Sequence, residues 1–203
     1  MAFAILSLGC ASLGIAGDKS VQDEARDLAD KIKKATQGGG AAPSEAAVKL
    51  PKGDPCKVLT DADVRKVFPD AKSGQRERRN EQYGMTACFW DYPGGRFAVQ
   101  VSVEQPGTVK NEIRGMSLGF VDPLKAGAAA NVRYETIKGV GDDAMAIVEP
   151  ADAKRGILTD SAYLITQRGD QQAMLFSSTL ARRDRAEALK KLEELGKAAA
   201  GRL

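Results

Sequence analysis

The chain alternates most strictly where Phe97, Val99, Val101 and Val103 take every second position, so residues 97–103 predict a strand with one buried and one wetter face. Residues 86–91 predict its partner, joined to it across Pro93-Gly94-Gly95, a turn composition. Two more strands are expected over 132–137 and 144–148. A second hairpin, 156–168 with 171–178, turns at Gly169-Asp170 between runs of β-favouring residues.

Helical spacing appears in three places. Thr60-Asp61-Ala62-Asp63 sets an N-cap and an acidic third residue ahead of Val64, Val67 and Phe68, a short helix stopped by Pro69. Behind a capping Thr108, residues Val109, Ile113, Met116 and Phe120 stand at i, i+4, i+7 and i+11, an amphipathic helix in which Met116 packs rather than ligates. Asp184 with Glu187 offers a second capping box, and Ala186, Leu189, Leu192 and Leu195 give the last helix its apolar stripe. Residues 198–203 are expected to fray. Hairpins with helices outside them, and no repeated strand–helix alternation, predict an α+β domain: an antiparallel sheet of about five strands with helices packed on it.

Before residue 53 the pattern is of another kind. Val21, Ala25, Leu28, Ile32 and Ala35 mark one narrow seam over residues 18–37, with acidic residues at its start and Lys31, Lys33 and Lys34 at its end, matching a helix dipole. Two alanines among five seam positions make a weak coiled coil, so the reading is a partly helical spacer, followed by the flexible run Gly38-Gly39-Gly40-Ala41-Ala42-Pro43. The first 15 residues carry no charge, and the apolar core over 2–8 is shorter than the roughly 20 residues a spanning helix needs. The expected division is a signal segment over 1–17, a disordered or partly helical tether over 18–52, and the folded domain over 53–203.

Composition narrows the chemistry. Hydrophobic residues at 43% and charged residues at 28% are globular values, and a net charge of +3 demands no polyanionic partner such as nucleic acid. Histidine is absent, which removes Ser-His-Asp and Cys-His catalysis and the usual zinc sites from these 203 residues. Arg76, Glu77, Arg78 and Arg79 fall within the polar run 72–82; an anion or headgroup patch is one reading, but the interleaved Glu77, Asn80 and Glu81 favour a solvated loop. Gly139-Val140-Gly141-Asp142-Asp143-Ala144 fits a relaxed dinucleotide fingerprint, yet a strand follows it and two aspartates would repel phosphate, so a tight turn is the reading. A carboxylate pair alone is also a thin calcium site, and no cofactor or metal is expected. Asp91, Asp142, Asp143 and Asp160 leave open an exported hydrolase working by Asp/Glu acid–base chemistry, although no spacing singles out a pair.

The cysteines bear on the compartment. Leu6-Ser7-Leu8-Gly9-Cys10 resembles a bacterial lipobox, in which Cys10 becomes the lipid-bearing first residue of the mature chain, with palmitate among the expected acyl groups. Cleavage after Gly14-Ile15-Ala16 to give a secreted soluble protein is one alternative, and a buried N-terminal segment of a cytosolic protein is the other. Setting Cys10 aside leaves Cys56 and Cys88, the even number expected of one disulfide in an oxidising compartment. A bridge would close a loop of about 33 residues and contribute roughly 3–4 kcal/mol on the chain-entropy account. A redox-active pair would want Cys-x-x-Cys spacing or a thiolate-stabilising setting, and Phe89-Trp90 supplies an apolar one instead.

Asp54-Pro55-Cys56-Lys57-Val58-Leu59-Thr60, Cys88-Phe89-Trp90 and Gly139-Val140-Gly141-Asp142-Asp143-Ala144, taken together, resemble an uncharacterised lipoprotein family abundant in actinobacteria, whose domain opens on Asp-Pro-Cys-x-Leu-Leu-Thr and carries a later Cys-x-Trp. That family is similar in turn to the extracellular sensor domain of a mycobacterial serine/threonine kinase. The resemblance covers about residues 53–198 and departs at Val58, where leucine is usual, and in the charged spacer. It implies an α+β fold, joined cysteines, export and lipidation, and no enzymatic activity. The expected role is a non-catalytic, lipid-anchored cell-envelope domain that binds a small ligand or envelope protein at residues the sequence does not single out. A structural component associating through residues 18–37 is the other non-enzymatic reading.

Overall fold

The computed structural model describes residues 49–125 and 127–203. The expected signal segment, Cys10, the 18–37 spacer and the glycine linker lie outside the described residues. Seven strands, β1 (Gln75–Glu77), β2 (Met85–Tyr92), β3 (Gly95–Val103), β4 (Tyr134–Thr136), β5 (Asp143–Glu149), β6 (Ser161–Arg168) and β7 (Gln171–Phe176), form one sheet in the order β1-β2-β3-β7-β6-β5-β4. Every neighbouring pair is antiparallel. Among the described residues four α-helices accompany it: α1 (Pro55–Val58), α2 (Asp61–Val67), α3 (Val109–Ser117) and α4 (Arg185–Ala200).

The fold is thus α+β as expected, but with seven strands rather than about five. β1 falls inside the arginine-rich stretch that reads as a solvated loop. Its side chains are exposed or half-buried and carry no alternation; backbone pairing to β2, with Arg76 opposite Cys88, recruits it. β6 begins at Ser161 rather than 156, because Ile157 makes isolated bridges with Val121 and Asp152 instead of joining the sheet.

Alternation gives the sheet two unlike faces. On one, Trp90, Phe97, Val99, Leu164 and Leu175 meet α1, α2 and α4 in a continuous core. On the other, α3 presses Val109 and Ile113 onto Ile147 of β5 and Ile165 of β6. Thr108 does not cap α3; its hydroxyl donates back to Gln105 O at 2.9 Å, and Phe120 is buried three residues beyond the helix end. α3 is short, and it covers only the β5–β6 side of its face.

α1, β2 and α2 are locked at one node. Asp54 caps α1 by accepting from Cys56 N at 3.0 Å, and Cys56 is disulfide-bonded to the fully buried Cys88, with Cα atoms 5.2 Å apart across a sequence separation of 32. Asp61 Oδ1 accepts from both Trp90 Nε1 and Gly74 N, each at 2.8 Å. A Cβ on Gly74 would lie 2.7 Å from Trp90 Cε2 and 2.9 Å from Cys88 Sγ, so only glycine lets the lead-in to β1 pass this close.

The C-terminus is docked, not frayed. The buried stripe of α4 runs through Ala188, Leu192, Leu195 and Ala199 at steps of four and three, while the expected Ala186 is exposed and Leu189 half-buried, because repeated steps of three drift round a helix of 3.6 residues per turn. Arg202 donates to Val58 O at 3.0 Å and Asp63 Oδ2 at 2.8 Å, tying the chain end to α1 and α2. Asp63 also completes the capping box with Thr60. Burial opposes its charge, but hydrogen bonds from Thr60 and Arg202 outweigh burial and hold its pKa at about 2, against an ordinary 3.8.

Two outcomes follow. Reducing the disulfide, or replacing both cysteines by serine, should remove about 3 kcal/mol from the unfolding free energy in urea, read by the emission of the lone tryptophan Trp90. Because the folded pKa of Asp63 lies below its unfolded value, its stabilisation is full above about pH 4 and fades as pH falls towards 2. Asp63→Asn should therefore cost about 2 kcal/mol at pH 6, with a gap to wild type that closes in acid; a gap independent of pH would contradict the assignment.

Candidate functional site

Where α3 stops, no other α-helix among the described residues covers that face of the sheet. Ala87 and Phe89 of β2, Ala98 and Gln100 of β3, and Met174 and Phe176 of β7 rise on this uncovered half, with Tyr163 of β6 at the boundary. Register makes them neighbours: Phe89 pairs with Ala98, Ala98 with Phe176, and Gln100 with Met174. Two alanines beneath larger side chains leave a hollow of about 160 Å3. Its far wall is Tyr163 stacked on Phe176 with ring centres 4.6 Å apart, and burial pushes the Tyr163 phenol pKa up. Gln100 is the polar side chain of the hollow floor, and its amide contacts Met85 Sδ at 2.6 Å.

Phe89 is also a wall of a second hollow, of about 520 Å3, lined by Gln75, Arg76, Glu77, Arg78, Arg79 and Arg96. The Arg96 guanidinium sits 5.2 Å from the Phe89 ring centre, a cation over an aromatic face. Carboxylates accompany these cations: Asp91 lies 2.6 Å from Arg96, Glu77 2.9 Å from Arg79 and Glu81 2.9 Å from Arg76. The hydrogen bond from Arg96 holds Asp91 below the usual carboxylate range. Apolar and cationic surfaces thus adjoin at one ring.

The aspartates considered for acid–base chemistry do not converge. Asp91 pairs with Arg96, Asp160 accepts from Ala151 N and Arg182, and Asp142 accepts from Gly169 N at 2.8 Å to brace the β6–β7 turn. Asp143 pairs with Gln167 at one end of β5, while Asp160 adjoins Ser161, which pairs with Glu149 at the other; six residues of strand separate those ends by about 20 Å. The Gly139–Ala144 stretch leads into β5, not a helix, and Gly141 has φ +64° with its Cβ position 2.6 Å from Thr166 Oγ1. The hollow beside it is lined by Lys197 and Ala200 near the C-terminal end of α4, so no helix N-terminus faces a phosphate there. Among the described residues no three His, Cys, Asp or Glu side chains are grouped to hold a metal ion. A fourth hollow, of about 300 Å3, is walled by Phe68 and Tyr92, which stack with ring centres 4.4 Å apart, together with Pro69, Thr179 and Arg183; the Tyr92 hydroxyl is taken up by Ser177 and Thr179.

Sequence reading missed one charged cluster entirely. Glu149, at the end of β5, is fully buried and meets Arg155 Nη1 at 2.7 Å, Arg133 N at 2.8 Å and Arg133 Nε at 3.3 Å, with Arg185 Nη1 at 3.9 Å. Burial disfavours its charge, but the hydrogen bonds from Arg155 and Arg133 prevail and lower its pKa. The arginines bring together the lead-in to β4, the 150–156 loop and the start of α4. Their positions, 133, 155 and 185, share no local motif.

Compared with known proteins, the chain matches no family model, no curated protein and no solved structure. Geometry and sequence therefore carry the functional reading.

The Glu149 cluster is structural, and its test is stability. Glu149→Gln keeps the volume but leaves the guanidinium groups without their buried carboxylate, so it should lower the unfolding free energy by about 3 kcal/mol. Urea denaturation checks this, and a loss under about 1 kcal/mol would show that the arginines simply re-enter solvent.

Proposed function

We propose that this chain is a non-catalytic domain of the bacterial cell envelope, exported and held to a membrane by lipid on Cys10, that binds a ligand or envelope protein through the open half of its sheet. The observation that carries the reading is the Cys56–Cys88 disulfide. A bridge built into the core, with Trp90 and Gly74 packed around it, suits an oxidising compartment and not a cytosol that keeps thiols reduced. The leader supplies the route and the anchor: an apolar core over 2–8 and the lipobox-like Leu6-Ser7-Leu8-Gly9-Cys10. The resemblance of the Asp54-Pro55-Cys56 and Cys88-Phe89-Trp90 motifs to the actinobacterial lipoprotein family and the kinase sensor domain supports the same assignment. For binding rather than catalysis, the support is an apolar hollow beside a cationic one, with the candidate aspartates dispersed over the sheet.

Mass spectrometry of the N-terminal peptide from native membranes tests the anchor. The expected product begins at Cys10 and carries the mass of a diacylglycerol. An unmodified Cys10, or an intact Met1, would overturn it. Cys10→Ser should move the protein from the membrane pellet to the soluble fraction.

A further inference from the structure

We infer that the open half of the sheet binds a single-chain fatty carboxylate, its acyl chain in the Ala98 hollow and its head group among the arginines beyond Phe89. This rests on the reading above that the open half is the binding surface. Three observations identify the ligand class. The first is the main chain. Beneath the hollow the strands are interior: Ala87–Phe89 of β2 pair with both β1 and β3, Ala98–Ser102 of β3 with both β2 and β7, and Gln171–Phe176 of β7 with both β3 and β6. A peptide laid across this face would find no main-chain partners, and its amides would sit unpaired over Ala98, Phe89 and Met174. An acyl chain has no such groups to satisfy.

The second observation is size. A hollow of about 160 Å3 holds roughly five groups of the volume of a water molecule, which suits the end of one chain and not the pair of a diacyl lipid. The third is charge. The hollow shares Phe89 with a cationic surface on which Arg96, Arg78 and Arg79 stand. Guanidinium groups take a carboxylate in paired hydrogen bonds. Asp91 and Glu77 already face two of these cations, but the side chains of Arg96 and Arg79 are 58% and 85% exposed, and exposed ion pairs exchange partners at little cost.

Calorimetric titration of the purified full-length chain with decanoate, below the concentration at which it aggregates, tests the inference. Decanoate should bind at one site, and each methylene removed between decanoate and hexanoate should weaken binding about fourfold. Decanol, with the chain but no charge, should bind at least tenfold more weakly, and acetate should not bind. Ala98→Phe fills the hollow and should abolish binding. Arg96→Gln, on an exposed side chain that leaves the core untouched, should weaken decanoate about tenfold and leave decanol unchanged. Unaltered urea midpoints certify that the variants are folded. No heat of decanoate binding, wild-type affinity in Ala98→Phe, or tighter binding of a polyglutamate peptide than of decanoate would each overturn the inference. A chain that binds decanoate yet carries an unmodified Cys10 loses the anchor and keeps the site; a lipidated chain indifferent to decanoate does the reverse.

Discussion

The Cys56–Cys88 bridge ties the first helical turn of the described chain to the second strand of the sheet, and much of the fold is arranged around that tie. Cys88 is buried beside Trp90, whose indole nitrogen is held by Asp61 at the start of α2. The same carboxylate oxygen takes the Gly74 amide and so fixes where the chain turns into β1. α4 returns across this region, and Arg202 closes it by bonding Val58 O and Asp63. Removing the bridge would loosen α1, the packing around Trp90 and the edge strand together, because each is positioned by contact with the others.

A second constraint shapes the surface. A seven-stranded sheet is wider than a nine-residue helix can cover, and α3 reaches only β5 and β6. On the opposite face α1, α2 and α4 share the work, so the core there is continuous. The open half is therefore not a flaw in packing. It consists of small and aromatic residues in register, bounded by a stacked pair of rings on one side and arginines on the other. That combination suits an amphiphile, and the lipid expected on Cys10 would hold the domain close to a supply of such molecules.

Much of this is legible in the sequence because it is local. The Phe97–Val103 alternation, the Gly169-Asp170 hairpin and the Thr60–Asp63 capping box are each written within a few residues, and the structure has all three. The pairing of Cys56 with Cys88 follows from counting cysteines, not from any contact visible in the chain. What stays illegible is set by distant residues. β1 is exposed and owes its conformation to main-chain pairing, so its side chains announce nothing. Arg202 falls in a tail expected to fray and Glu149 sits in no local motif, yet one docks the C-terminus and the other is buried among arginines drawn from positions 133 to 185. The open hollow joins residues of four strands, and alternation on β3 shows only that Ala98 and Gln100 lie on the wetter face.

The proposed export to an oxidising compartment is open to a direct test in the redox state of Cys56 and Cys88 in living cells. Cells making the full-length protein would be treated with a membrane-permeant alkylating maleimide before lysis, and the peptides bearing Cys56 and Cys88 mapped by mass spectrometry without reduction. The two peptides should be recovered unlabelled and joined to each other. Recovery of Cys56 and Cys88 as separately alkylated thiols would contradict it.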